Sequence, residues 1–342
     1  MARIVQVHGP DDVRLDPAAD PAAGKGDAIV RIAACGICGT DLSFIKGGGS
    51  GRGGASPLPL GHEAAGEIVA LGDGVEGLAL GQRVVINPMG TDDVIGNGGT
   101  EGAFTERLLV RNARPWQSLL PIGDNVSYEV AALAEPLAVA LHGVNRAAPQ
   151  QDEKVVVFGA GPIGLGAVFW LKERGIKEIV AVDLYDERLD RARALGASHV
   201  INASREQLAP TLKALHGTTD VLGKEAAGTH VYIDAAGAPG IVPDVVALAR
   251  RHARLVVIAA YRQKVELDLQ MMLTSEMSIT TSVGYPDELR TVVESLPAIA
   301  DRIAPMISHH FDFGDVIGAF GVAGRPDSAK VMIHFDGKEQ AR

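Results

Sequence analysis

The sequence predicts an α/β protein in two parts: a β-rich part of barrel-like character and a doubly wound parallel sheet. Three observations carry that reading. Up to about Val110 the chain consists of short β-like runs punctuated by glycine and proline, from Lys154 onward apolar strands alternate with helices, and 41 of the 342 residues are glycine. A chain of that length accommodates two domains, each with its own core.

The elements follow in order. Residues 1–10 read as a strand entering a turn, without the apolar stretch of a secretory leader. Residues 28–32, 66–71 and 83–86 are β-like, and the stretches 47–59 and 90–102 are rich in turn formers. Around Val130 the texture changes to alanine-rich helix. Residues 155–158 form a continuous apolar strand, 163–174 a helix, 179–182 a second strand, and 187–195 a second helix closed by Gly196. The cycle continues through a strand at 231–234, a helix at 242–251, and strands at 255–258 and 278–283. After Pro286 come a helix and a closing strand at 330–335.

Composition removes several classes of function. With 32 basic and 42 acidic residues the net charge is −10, which is unsuited to tracking phosphates or to docking on an anionic membrane. No apolar run has the roughly 18 residues of a membrane helix. The two cysteines, Cys35 and Cys38, provide no disulfide framework, so a soluble protein of the reducing cytoplasm is expected.

Gly159-Ala160-Gly161-Pro162-Ile163-Gly164 stands directly after an apolar strand and opens a helix, the setting in which G-x-G-x-x-G binds a dinucleotide. Gly159 permits the tight turn, Gly161 the approach of a pyrophosphate, and Gly164 close packing of helix on strand, while Pro162 and Ile163 begin the helix whose N-terminus favours an anion. Asp183 ends the second strand where a carboxylate can accept from a ribose 2′-OH and repel a 2′-phosphate, which favours NAD over NADP. Arg188, early in the next helix, joins this set as a candidate cofactor contact.

Cys35-Gly36-Ile37-Cys38 lacks the surroundings of a redox pair and the partner cysteines of a four-thiolate site. Cys38 with the histidine of Gly61-His62-Glu63 and one glutamate fits the three-ligand rule of catalytic zinc. Glu63 and Glu135 compete for the third place. Asp41 is placed to orient His62.

Cys35-Gly36-Ile37-Cys38-Gly39-Thr40-Asp41, followed by Gly61-His62-Glu63-Ala64-Ala65-Gly66 with Gly72 and Val75 downstream, resembles the zinc-dependent medium-chain alcohol dehydrogenase family, with sorbitol, butanediol and threonine dehydrogenases among its members. The resemblance extends over essentially the whole chain. It implies a GroES-like catalytic domain made of residues 1–146 and 287–342, with a Rossmann domain, 147–286, inserted between. It further implies that Cys38 and His62 are zinc ligands, that Cys35 is a small core residue, and that Glu63 or Glu135 completes the site. Thr40 becomes the group that takes the substrate's proton. A homodimer or homotetramer is the expected assembly.

Two departures qualify that resemblance. The lobe that carries four cysteines and a structural zinc in many relatives is represented by residues 88–102, which contain none, so one catalytic ion per chain is expected and Asn97-Gly98 signals a hairpin there. A histidine often found five places after the ligand cysteine is replaced by Ser43, which cannot buffer near neutrality, so the outer proton step runs through water. Phe44 provides an apolar wall, and Tyr285 stands in the late segment where polyol dehydrogenases carry arginine. The reading is an NAD- and zinc-dependent dehydrogenase of a secondary alcohol. Its alternatives are a polyol or L-threonine dehydrogenase and, from another class, a silent NAD-binding regulatory relative.

Overall fold

The computed structural model describes residues 2–51 and 53–335. The chain divides into two compact units. One takes both ends, up to Glu135 and from Leu289, and the other is Pro136–Glu288.

The first unit is built on a sheet in the order Ile307–Asp312, Lys330–His334, Ala28–Gly36, Glu63–Leu71, Arg83–Ile86 and Leu119–Pro121, with Arg107–Val110 also pairing with Ala28–Gly36. A smaller sheet joins Asp12–Ala18, Ala2–Gly9 and Leu58–Pro59. Side chains of these strands, among them Val5, Ile32, Leu58 and Ile68, fill a common core closed by an edge-to-face contact of Phe104 with Phe320, ring centroids 5.6 Å apart. The core fixes the loops that carry function. Gly61 has φ +95°, and a Cβ there would meet the Phe104 backbone nitrogen at 2.6 Å, so the turn before His62 requires glycine.

The second unit is a six-stranded parallel sheet in the order His199–Asn202, Glu178–Asp183, Lys154–Phe158, Val231–Asp234, Arg254–Val257 and Ser278–Thr281. Both faces are covered, which is why Val155, Val156 and Val157 are all buried and the strand reads as an unbroken apolar run. Strand order reverses beside Lys154–Phe158, so the turn at its carboxyl end lies at the topological switch point, where open α/β sheets bind ligands.

Several elements depart from the sequence reading. A polar two-stranded hairpin, Thr218–Val221 with Lys224–Ala227, interrupts the alternation. Helix Gly39–Gly47 and strand Ile307–Asp312 were not expected, and strand 278–283 ends at Thr281. Asn97-Gly98 turns without making a hairpin: no strand flanks it among the described residues. That segment is held by the Asp93 carboxylate, which accepts from the Thr100 and Glu101 amides at 2.9 and 2.8 Å and from the Thr100 hydroxyl at 2.7 Å. Local side-chain bonds of this kind displace a backbone ladder.

Candidate functional site

In the first unit, Cys38 caps the N-terminus of helix Gly39–Gly47. Its sulfur accepts from the Thr40 amide at 3.5 Å, at the end of a helix that favours negative charge. His62 and Glu63 arrive from the facing turn and strand, and one ligand atom from each of Cys38, His62 and Glu63 lies within 4.8 Å of the others. Cys38 is half-buried and the other two are buried. Cys35 points elsewhere. Its thiol is fully buried in the core, and burial drives its pKa well up.

Asp41 does not hold His62 in the way expected. Its Oδ1 is 3.7 Å from His62 Nδ1, beyond hydrogen-bond range, and that nitrogen has no hydrogen-bond partner among the described residues. The carboxylate instead accepts from the Cys38 amide at 2.8 Å and the Gly61 amide at 3.2 Å, and so ties together the two loops that deliver the ligands. Burial raises the Asp41 pKa against the lowering influence of His62. At His62 burial works downward, but Cys38, Asp41 and Glu135 outweigh it and hold the imidazole well above its usual pKa.

Lys330 is the residue that sequence reasoning missed. It opens the strand Lys330–His334, is 1% exposed, donates to the Ile37 carbonyl at 2.9 Å and forms an ion pair with Glu63. Burial alone would lower its pKa, but Glu63, then Cys38 and Glu135, reverse that and raise it. Gly36 makes room for the pair, since a Cβ there would lie 2.4 Å from Glu63 Oε2. The available signal was a lysine opening an otherwise apolar strand, because buried lysine is rare unless paired.

Glu135, buried in the first turn of helix Ala134–Ala147, influences His62 and Lys330 electrostatically but falls outside the close set formed with Cys38. The donor chemistry fits zinc: sulfur, imidazole and carboxylate converge, with Glu63, Cys38 and Glu135 near Lys330 and Asp41 near His62. Thr40 is partly exposed beside Cys38, while the Ser43 hydroxyl donates to the Gly39 carbonyl at 2.9 Å. Phe44 packs against the core of this unit.

In the second unit, helix Pro162–Glu173 begins at Gly161 with Pro162 in its first turn, no side-chain cap and no acidic residue near its start. A Cβ on Gly164 would lie 1.7 Å from the Gly159 carbonyl oxygen, which enforces glycine, whereas a Cβ on Gly161 would meet nothing within 4 Å. Ile163 follows in the same turn. An open surface above uncapped N–H groups suits a pyrophosphate. Asp183 Oδ2 accepts from the Ala160 amide at 2.7 Å and Oδ1 from Leu184 at 2.7 Å, so the carboxylate braces the glycine turn. Arg188 Nη1 lies 4.0 Å from Asp183 Oδ2, and its guanidinium covers the Tyr185 ring. Tyr285 is buried beyond the end of strand Ser278–Thr281.

Comparison with known proteins agrees with both units. Residues 24–127 match the alcohol dehydrogenase GroES-like domain, and residues 162–298 match the zinc-binding dehydrogenase model. Sorbitol dehydrogenase of Ovis aries is 29% identical over 353 residues, covering 98% of this chain and 96% of that protein. The crystal structure of 2R,3R-butanediol dehydrogenase from Bacillus subtilis superimposes with a TM-score of 0.87 at 25% identity, over 98% of this chain and 100% of the other. An alcohol dehydrogenase of Escherichia coli CFT073, solved with NADH, gives a TM-score of 0.82 at 27% identity over 98% and 99%.

Proposed function

This chain belongs to the zinc-dependent medium-chain alcohol dehydrogenase family, and we propose that it interconverts a secondary alcohol and its ketone with NAD and a zinc ion held by Cys38, His62 and Glu63. The observation that carries this reading is the convergence of those three ligand atoms within 4.8 Å, with His62 and Glu63 buried and Cys38 half-buried. Glu135 is the carboxylate held in reserve.

A zinc ion bound there supplies a Lewis acid that acidifies a substrate hydroxyl, and NAD supplies the hydride acceptor. The chain's own residues do the rest. Thr40, two residues after the ligand cysteine, would accept the hydroxyl proton as it passes its own proton on to water. The Ser43 proton is engaged with Gly39, so Ser43 offers only lone pairs, and water completes the path outward. Asp41 holds the Cys38 and Gly61 amides in place, and Lys330 pairs with Glu63 and directs it.

In the second unit Gly161 leaves space for the pyrophosphate and Asp183 maintains negative charge where NADP carries its extra phosphate. Arg188 is the group that would welcome such a phosphate, but Asp183 is beside it. Comparing kcat/KM for the two cofactors tests this: NAD is expected to be favoured on the order of 100-fold, about 2.7 kcal/mol. A preference for NADP would remove Asp183 from this role.

The sequence, with an apolar Phe44 near the ligand cysteine and no arginine beside Tyr285 in the late segment, supports a less hydroxylated alcohol than sorbitol. The polyol reading has its own support in the sorbitol dehydrogenase likeness. Activity on diols, sugar alcohols, hydroxy amino acids and cyclic secondary alcohols, with metal content measured on the same preparation, separates the two. An inactive, zinc-free protein would overturn both. No helix among the described residues is long and apolar enough to cross a membrane. A cytoplasmic setting, which keeps Cys38 reduced, and a homodimer or homotetramer complete the proposal.

A further inference from the structure

The first unit holds a second convergence of metal-binding side chains, remote in sequence from Cys38, His62 and Glu63. Glu129 comes from helix Tyr128–Ala132, His310 from strand Ile307–Asp312 and His334 from the end of strand Lys330–His334. The two strands run parallel, with His310 opposite Met332 and His334 opposite Asp312, so both histidines project from the same face as diagonal neighbours. Their rings stack at 25° with centroids 5.3 Å apart.

Three atoms make the contacts within this set. His310 Nδ1 lies 3.0 Å from His334 Nε2 and 3.4 Å from Glu129 Oε2, and His334 Nε2 is 3.6 Å from that oxygen. A tetrahedral ion with bonds of about 2.1 Å requires its ligand atoms about 3.4 Å apart, close to these separations. A point about 2.1 Å from all three atoms lies about 0.8 Å out of their plane, which leaves a fourth position open. The side chains are 51%, 21% and 35% exposed for His310, His334 and Glu129, so an ion can enter from solvent and water can fill that position.

We propose that Glu129, His310 and His334 form a second, exchangeable site for a borderline divalent ion such as zinc, distinct from the buried centre. Two imidazoles and a carboxylate suit zinc, cobalt, nickel or copper and do not suit magnesium or calcium. Bound metal clips the short helix to both strands, one of which carries Lys330 at its other end. The ligands are separated widely along the chain, so occupancy stabilises the folded unit by mass action.

The test uses zinc-loaded enzyme, desalted so that only tightly held ion remains, then titrated with zinc by calorimetry and followed by thermal melting. Wild type is expected to take up one further ion per chain with a rise in Tm. H310A and the H310A/H334A double variant are expected to bind it at least tenfold more weakly and to lose the rise, with alcohol oxidation unchanged before zinc is added. Copper(II) bound to wild type should show two nitrogen couplings in its electron paramagnetic resonance spectrum, against one for H310A. E129Q, a milder change, guards against a folding failure in the double variant and should also weaken uptake. Equal uptake and equal melting shifts in wild type and the histidine variants overturn the site, as does absence of further uptake in wild type. Retention of the further ion in Cys38→Ser would separate this site from the catalytic one.

Discussion

Two sets of three side chains in the same unit bring metal-binding atoms to comparable distances, and they differ in what stands behind them. Cys38, His62 and Glu63 are backed by Asp41, which bonds the amides of both delivering loops, and by Lys330, which neutralises part of the buried charge. Glu129, His310 and His334 contact one another at a surface where water competes. Ligand identity and spacing therefore do not by themselves separate a permanent metal centre from an exchangeable one; burial, charge balance and backbone anchoring do. Removing these supports one at a time should give effects that fall in the order below.

Cys38→Ser removes a ligand from the buried centre and should abolish zinc retention, lowering kcat/KM on the order of a thousandfold or more, about 4 kcal/mol of transition-state stabilisation. Cys35→Ser, in the core three residues earlier, should retain the ion and most activity. Metal analysis and steady-state kinetics on the two variants check the contrast. Equal losses would show that the close set of ligand atoms does not define the centre.

Lys330→Met leaves Glu63 buried without its cation. Breaking a buried pair from one side costs about 3–5 kcal/mol, so the metal-free protein should lose that much stability. With zinc present the loss should shrink, because a divalent ion beside Glu63 replaces the missing charge. Chemical denaturation with and without zinc measures both. An equal loss in the two conditions would place Lys330 in packing alone.

What the sequence revealed follows the range of the interactions involved. The second unit was legible because its strands are buried on both faces: residues 231–234 and the G-x-G-x-x-G turn are local patterns, and the strand Val231–Asp234 matches the expected one end to end. The hairpin Thr218–Ala227 was not legible, because a half-exposed polar ladder has no distinctive apolar period. Cys38, His62 and Glu63 could be singled out by residue type and motif, whereas Lys330 meets Glu63 only through three-strand register. His310 and His334 were invisible for the same reason, since their proximity depends on the pairing of strands Ile307–Asp312 and Lys330–His334. Asp41 is legible as a neighbour of His62, whose Nδ1 lies 3.7 Å from its Oδ1, but only the folded chain shows that it also bonds two backbone amides.

Asp41→Asn tests that revised role. The amide retains one acceptor oxygen where the carboxylate offers two, so one of the bonds to the Cys38 and Gly61 amides is lost. Weakening the support of a ligand set costs roughly 10–100-fold in metal affinity, and chelator competition should show a loss in that range with Cys38 and His62 intact. An unchanged affinity would mean that the loops hold their geometry without the carboxylate.

The smallest effect is expected at the surface set. His310→Ala in metal-free buffer deletes one partly exposed ring and its hydrogen bond with His334, with no buried charge stranded, so stability should change by no more than about 0.5 kcal/mol. Lys330→Met, in the same unit and the same sheet, also deletes a side chain that bonds its neighbours, so the difference between the two variants reports what burial adds to the cost of an orphaned partner. Chemical denaturation of both variants in one chelator-treated buffer reads that difference directly. A loss of several kcal/mol for His310→Ala would mean that the imidazole stack fastens strand Ile307–Asp312 to its neighbour even without an ion, making the surface set a structural fastening of the fold before it is a metal site.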